Sequence, residues 1–240
     1  MIFDVYTFSN SGGRDYNEDA VGYNLDGNSG IFVVADGLGG HSYGELASAC
    51  ARDTLLDGWS ANSQNRSMWL NSQISAANQR ILDLQSEKKT ILKSTIAVLA
   101  IDGVNAVWAH TGDSRIYYLH NGWLKSVTDD HSVAYKKYKA GEITRDELAM
   151  DEDQSRLLRT LGGAERYEPE IDAWEDPLVS GDGFLICSDG AWEYLRDAEI
   201  PVDMLKAENA KQWAELLLLR MMDRITPDND NLTLLTLMIK

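Results

Sequence analysis

Apolar and polar residues along the chain follow two kinds of period. Leu70, Ile74, Ala77, Ile81 and Leu84 step by four, three, four and three, which is the stripe of an amphipathic helix. Leu46, Cys50 and Leu55 predict a helix over 43–57 with Gly58 as its stop. Ala210, Trp213, Leu217 and Met221 share one face of a later, long helix. Between these lie short β-rich runs. Residues 2–9, 31–35, 167–174 and 183–187 predict strands, and "NLTLLTLMI" predicts one more near 231–239. "TIAVLAI" and "VNAVWAH" flank Asp102-Gly103, and "RIYYLH" and "WLKSV" flank Asn121-Gly122. Both dipeptides favour the positive-φ turns of tight hairpins, so an antiparallel meander is expected over about 94–127. Residues 131–160 are polar and mixed, and predict short helices and loop. Hairpins with helices grouped between them imply a layered α+β fold, not a parallel βαβ sheet.

Composition narrows this. With 240 residues, 44% of them hydrophobic, four prolines and no linker-like tract, one domain is expected over 1–240. The first residues lack the charged start and apolar stretch of a secretory signal, and no eighteen apolar residues run together. A cytoplasmic protein without a membrane span is expected. Cys50 and Cys187 sit in helix-like and strand-like apolar contexts and read as reduced core residues. The formal net charge of −16 would repel nucleic acid. It also raises the question of which carboxylates face one another and require cations.

The chain contains six Asp-Gly pairs, at 26, 36, 57, 102, 182 and 189. A turn is the ordinary use of such a pair. Asp102-Gly103 fits a hairpin, Asp57-Gly58 a helix end, Asp26-Gly27 a loop, and Asp182-Gly183 precedes a strand. Asp36 and Asp189 differ. Each ends a run of buried-strand residues, "IFVVA" and "FLICS", with no partner strand at hairpin distance. An ionised carboxylate near the core is costly unless paired or metal-bound. The candidate partners, Glu18-Asp19 and Asp228/Asp230, are themselves acids. Hard oxygen ligands without a matching Cys or His cluster select Mg²⁺ or Mn²⁺, and the glycine at 37 exposes its carbonyl as a further ligand.

"RDYNED" (14–19), "VVADGLGGHSYGE" (33–45), "HTGDSRIYYL" (110–119), "VTDDHS" (127–132), "RTLGG" (159–163), "LICSDG" (185–190) and "DNDNLT" (228–233) resemble, in order and spacing, the motifs of the metal-dependent protein phosphatases of type 2C. The resemblance runs from Arg14 to Thr233 and is closest to bacterial members. It implies a four-layer α-β-β-α sandwich of two antiparallel sheets flanked by helices, with a flap at about 131–165 and a binuclear Mg²⁺ or Mn²⁺ centre at one end. By the same resemblance Asp36 bridges both ions, and Asp189 and Asp230 complete the first. Glu18 and the Gly37 carbonyl hold the second, and Asp19 is an outer ligand through water. Arg14 holds the substrate phosphate, and Asp113 with Asp189 forms the third-ion site of bacterial members.

The activity implied is hydrolysis of protein phosphoserine and phosphothreonine. A hydroxide bridging two ions about 3.5–4 Å apart attacks phosphorus directly, without a phosphoenzyme. The implied partners are phosphoproteins, targets of a Ser/Thr kinase, acted on by a monomer. Where some members carry a histidine after the first Asp-Gly, this chain has Leu38. The proton donor to the leaving alcohol is therefore open between a metal-bound water and His41. His110, His120 and His131 read as local structure, and Lys93 as a strand residue that ligates nothing. Two alternatives share the fold: a signalling scaffold without catalysis, which lost ligands would mark, and a small-molecule phosphomonoesterase. Lys136, Lys137 and Lys139 form a local positive exception, expected to draw in acidic flanks of a phosphoprotein loop.

Overall fold

The computed structural model describes residues 1–39, 43–61, 65–163 and 167–240. Two antiparallel sheets lie face to face. The first has the order β1 (Phe3–Asn10), β11 (Leu232–Ile239), β10 (Gly183–Cys187), β7 (Arg115–His120), β8 (Trp123–Val127). The second has the order β2 (Asp19–Asp26), β3 (Ser29–Gly39), β5 (Ile96–Asp102), β6 (Asn105–Thr111), β9 (Glu170–Ala173), with β4 (Leu92–Ser94) on the last residues of β3. Helices α1 (Gly44–Asp57) and α2 (Arg66–Lys88) cover the second sheet. Helices α5 (Glu199–Lys206) and α6 (Ala210–Met222) cover the first. This is the four-layer α-β-β-α sandwich that the family resemblance implied.

Period-two alternation builds the layers. Along β5, Ala97, Leu99 and Ile101 enter the core between the sheets, while Ile96, Val98 and Ala100 pack under α1 and α2. Along β11, Leu235, Leu237 and Ile239 face inward and Leu234 and Met238 face α6. Each strand is thus buried on both faces, which is why these runs read as continuously apolar. Each fully buried aliphatic chain contributes about 1.5–3 kcal/mol. Helices start where side chains accept free N–H groups: Asn65 from Met68, Ser132 from Tyr135 and Asn209 from Gln212. Both cysteines are free.

Several expectations need correction. The two hairpins at 94–127 form, β5–β6 and β7–β8, but they belong to different sheets. They are not one meander, because Gly112 takes φ +103° and turns the chain from one sheet to the other. A Cβ there would lie 2.6 Å from the Thr95 side chain, so only glycine fits this crossing. Asp26-Gly27 is not a loose loop but the hairpin turn joining β2 to β3. Asp36 does not end its strand: β3 continues to Gly39 and pairs there with β4. Strand β2 has no counterpart in the apolar pattern, because most of its residues are partly or fully exposed.

The segment before β9 carries α3 (Val133–Ala140) and a 3-10 helix (Arg145–Met150), packed on a small cluster of Ala134, Tyr135 and Leu148. Its lysines are mostly engaged. Lys137 reaches Asp151 and Asp153 at 2.9 and 2.7 Å, and Lys139 reaches Asp129 at 3.1 Å. The expected attraction for acidic protein loops loses its basis here, since only Lys136 of the three has no ion pair among the described residues.

Candidate metal centre and active site

At one end of the sandwich a cavity of about 510 Å³ is lined by Arg14, Glu18, Asp36, Gly37, Asp113, Asp189 and Asp230. Both sheets supply it. Asp19 opens β2 directly across the ladder from Asp36 of β3, so two like charges face each other at neighbouring positions. Asp189 follows β10 as the first residue of the short helix α4 (Asp189–Trp192). Asp230 precedes β11, and Asp113 sits on the crossing between the sheets. Of the two acids in "DNDNLT", Asp230 lines the cleft and Asp228 is exposed.

Neutral groups fix the carboxylates. The Gly44 N–H donates to Glu18 Oε1 at 3.0 Å, and the Glu18 N–H donates to Asn231 Oδ1 at 2.7 Å. Ser188 donates to Asp19 Oδ2 at 2.8 Å. The Thr95 hydroxyl accepts from the Asp36 N–H at 2.9 Å and is hydrogen-bonded to the Ser114 hydroxyl at 2.7 Å. Asp189 and Asp230 accept from the N–H of the residues that follow them, each at 2.7 Å. Gly37 lets β3 pass against α1 and the Glu18 backbone: a Cβ would stand 2.2 Å from the Gly44 carbonyl oxygen. Arg14 donates to Asp230 Oδ2 at 2.9 Å and is the cation at the rim.

These contacts leave the charge uncompensated. Burial, then Asp189, Asp19, Asp113 and Asp230, push Asp36 well above the usual carboxylate range. Burial and then Asp189 do the same to Asp113. Burial carries Asp19 up to about 7 against its hydroxyl bonds, and Glu193 up to about 8. Asp19 Oδ1 and Asp113 Oδ1 are buried with no hydrogen-bond partner among the described residues. Orphaned carboxylate oxygens aimed among other carboxylates fit hard divalent cations.

The structure therefore brings together Glu18, Asp19, Asp36, Asp113, Asp189 and Asp230, with Gly37 and Arg14, and leaves Asp228 outside. Leu38 also lines the cleft, and His41 lies outside the described residues. Thr95, Ser114, Ser188 and Asn231 hold the acids and were not singled out. Ser114, Ser188 and Asn231 have one sequence signal, that each adjoins an acid of the motifs, and Thr95 has none. His110 and His131 stack at 4.5 Å and approach Glu170, with His110 Nε2 bonded to the Asp129 carbonyl and His131 Nδ1 accepting from the Gly112 N–H.

Comparison with known proteins agrees. Residues 9–223 match the family model for protein phosphatase 2C. The chain is 33% identical over 205 residues to the serine/threonine phosphatase stp of Listeria welshimeri, covering 82% of this chain and 80% of that one. It superposes on the serine/threonine phosphatase Stp1 from Staphylococcus aureus with a TM-score of 0.87 at 26% identity, over 100% of this chain and 96% of the other. It superposes on the catalytic domain of the phosphatase PstP, solved with two manganese ions, with a TM-score of 0.83 at 26% identity over 99% of both. With its two-sheet sandwich and its acidic cleft, the chain belongs to the protein phosphatase 2C family of metal-dependent protein serine/threonine phosphatases.

Proposed function

We propose that the cleft hydrolyses phosphoserine and phosphothreonine in protein substrates, with Mg²⁺ or Mn²⁺ held by Asp36, Asp189, Asp230, Glu18, Asp19 and the Gly37 carbonyl. A weaker ion is assigned to Asp113 with Asp189. The observation that carries this reading is the convergence of buried, mutually repelling carboxylates from both sheets beside one exposed arginine. Ions at such a site, when bound, acidify water and offset charge on an in-line displacement. Asp36, within the β3 ladder and bonded through its N–H to Thr95, keeps its carboxylate fixed relative to Asp19 and Asp189.

Arg14 grips the phosphate. Its guanidinium offers a planar fork suited to two phosphate oxygens. Its pair with Asp230 is half-exposed, at 57% and 43%, so little binding energy holds it there and a phosphate dianion can take it over. Arg14→Ala should therefore raise KM and lower kcat/KM by ten- to a hundredfold, on the order of a lost charge-assisted pair. Mn²⁺ affinity by calorimetry should change by less than about threefold. Collapse of metal binding would make Arg14 a structural residue.

The remaining assignments rest on the same reading. One catalytic domain over 1–240, with a flap at about 131–165, acts as a cytoplasmic monomer opposing a Ser/Thr kinase. No described helix is long and apolar enough to cross a membrane, and the net charge of −16 disfavours nucleic acid. Every acid that a catalytically silent scaffold would lack is present. Turnover of a phosphothreonine peptide should exceed that of sugar phosphates and nucleoside monophosphates in Mn²⁺. The reverse order of kcat/KM would replace the protein substrate with a small phosphoester.

A further inference from the structure

Asp113 stands on a three-residue crossing between the sheets, residues 112–114, and its backbone is clamped from both sides. On the side of Gly112, the Gly112 N–H donates to His131 Nδ1 at 3.2 Å and the His131 N–H donates to the Gly112 carbonyl at 2.9 Å. On the other side, the indole N–H of Trp192 donates to the Asp113 carbonyl at 2.9 Å. Trp192 is 3% exposed. The Arg115 guanidinium lies over its ring, 3.5 Å from the centroid, and is itself locked by two 2.7 Å bonds to the buried Asp130. The indole therefore has one orientation available. Trp192 is also the last residue of α4, which begins with Asp189. One rigid turn of helix thus carries a cleft acid at its start and holds the backbone of a second at its end.

We propose that Trp192 is a positioning residue for Asp113: its indole N–H, held by the Arg115–Asp130 pair, sets where the Asp113 carboxylate stands relative to Asp189 and so fixes the affinity of the cleft for its most weakly held metal ion. This rests on the assignment of an ion to Asp113 made above. Losing the N–H frees the crossing on one side only, since His131 still holds Gly112. The effect falls on the weak ion rather than on the pair near Asp36.

The test is Mn²⁺ calorimetry on the full chain as wild type, Trp192→Phe, Asp113→Ala and the double variant. Phenylalanine keeps an aromatic ring beneath Arg115 and removes the donor. Trp192→Phe should weaken the low-affinity phase about fivefold, on the scale of one hydrogen bond, and leave the tight phase within about twofold. The Mn²⁺ concentration for half-maximal turnover should rise in parallel. The double variant should match Asp113→Ala, which lacks the weak phase. If Asp113→Ala loses that phase and Trp192→Phe keeps it unchanged, the positioning role is overturned while the Asp113 assignment stands. If Asp113→Ala leaves the isotherm intact, the assignment itself fails, and the inference with it. Equal weakening of both phases by Trp192→Phe would make the tryptophan merely structural. A measurement on the wild type needs no variant to fold: in a Mg²⁺ titration the Trp192 indole N–H resonance, assigned through bonds, should move with the second phase. A resonance that ignores that phase overturns the proposal.

Discussion

Asp36→Asn should lower turnover of a phosphothreonine peptide by at least ~10²-fold, because the interaction removed supplies several kcal/mol of transition-state stabilisation through bound ions. The same change should raise the melting temperature of the metal-free protein. Asp36 is buried among Asp189, Asp19, Asp113 and Asp230, all of which disfavour its charge. The amide keeps the shape and deletes the repulsion. Ions that bind only the folded wild type stabilise it by mass action, and this stabilisation should largely vanish in the variant. Scanning calorimetry with and without Mn²⁺ reads both signs. A variant less stable than wild type without metal, and equally stabilised by Mn²⁺, would remove Asp36 from the centre of the site.

Excess chelator should abolish hydrolysis, Mn²⁺ or Mg²⁺ should restore it, and chelation should reverse the pH dependence of stability. In the metal-free protein Asp19 is raised to about 7 and Glu193 to about 8, in each case first by burial. Between about pH 4 and 8 the folded state then holds protons that the unfolded chain has released. Stability contributed by these groups is present below the ordinary carboxylate range and is lost as pH rises through 7 and 8. Glu199 has the opposite shift, held at about 2 chiefly by Arg224, but its contribution is lost only below that window. With Mn²⁺ bound, cations occupy the place of the protons, and acid competes with them, so stability should rise from pH 5 to 8. Melting curves at three pH values, with and without chelator, check this. A metal-free protein that gains stability over that range would refute the account of the acids. Full activity in excess chelator would refute metal dependence itself.

Helices and hairpins were legible where a period was complete. The α2 stripe and the two hairpin turns were located from side-chain type alone. What apolar alternation cannot carry is which sheet a strand joins, since β6 and β7 are both buried on both faces and only the conformation of Gly112 separates them. Strand β2 was missed for the opposite reason: its side chains are mostly exposed, so it leaves no alternation. In the site, Asp36 and Asp189 were legible because a carboxylate after an apolar run is costly unless something offsets it, whereas Asp113 came only with the family resemblance. Thr95, Ser188, Asn231 and Trp192 were not legible. A single hydroxyl, amide or indole beside an acid has no pattern, and its role exists only once distant segments meet. Ser188 and Asp19, for instance, are bonded across 169 positions.

The position of β11 bears on the order in which the molecule is made. Hairpins β2–β3 and β5–β6, and the helices over them, use residues 19–111 and are within reach of one another early in synthesis. The first sheet is different: β1 pairs along its whole length with β11 and β10 pairs with β11 as well, so residues 232–239 fill the gap between strands that emerge long before. Asp230, two residues ahead of that strand, arrives with it. A growing chain can therefore hold most of one half of the sandwich while its acidic cleft lacks a wall. Catalysis should therefore wait for β11 to emerge, and chains cut short upstream of it should be silent rather than partly active.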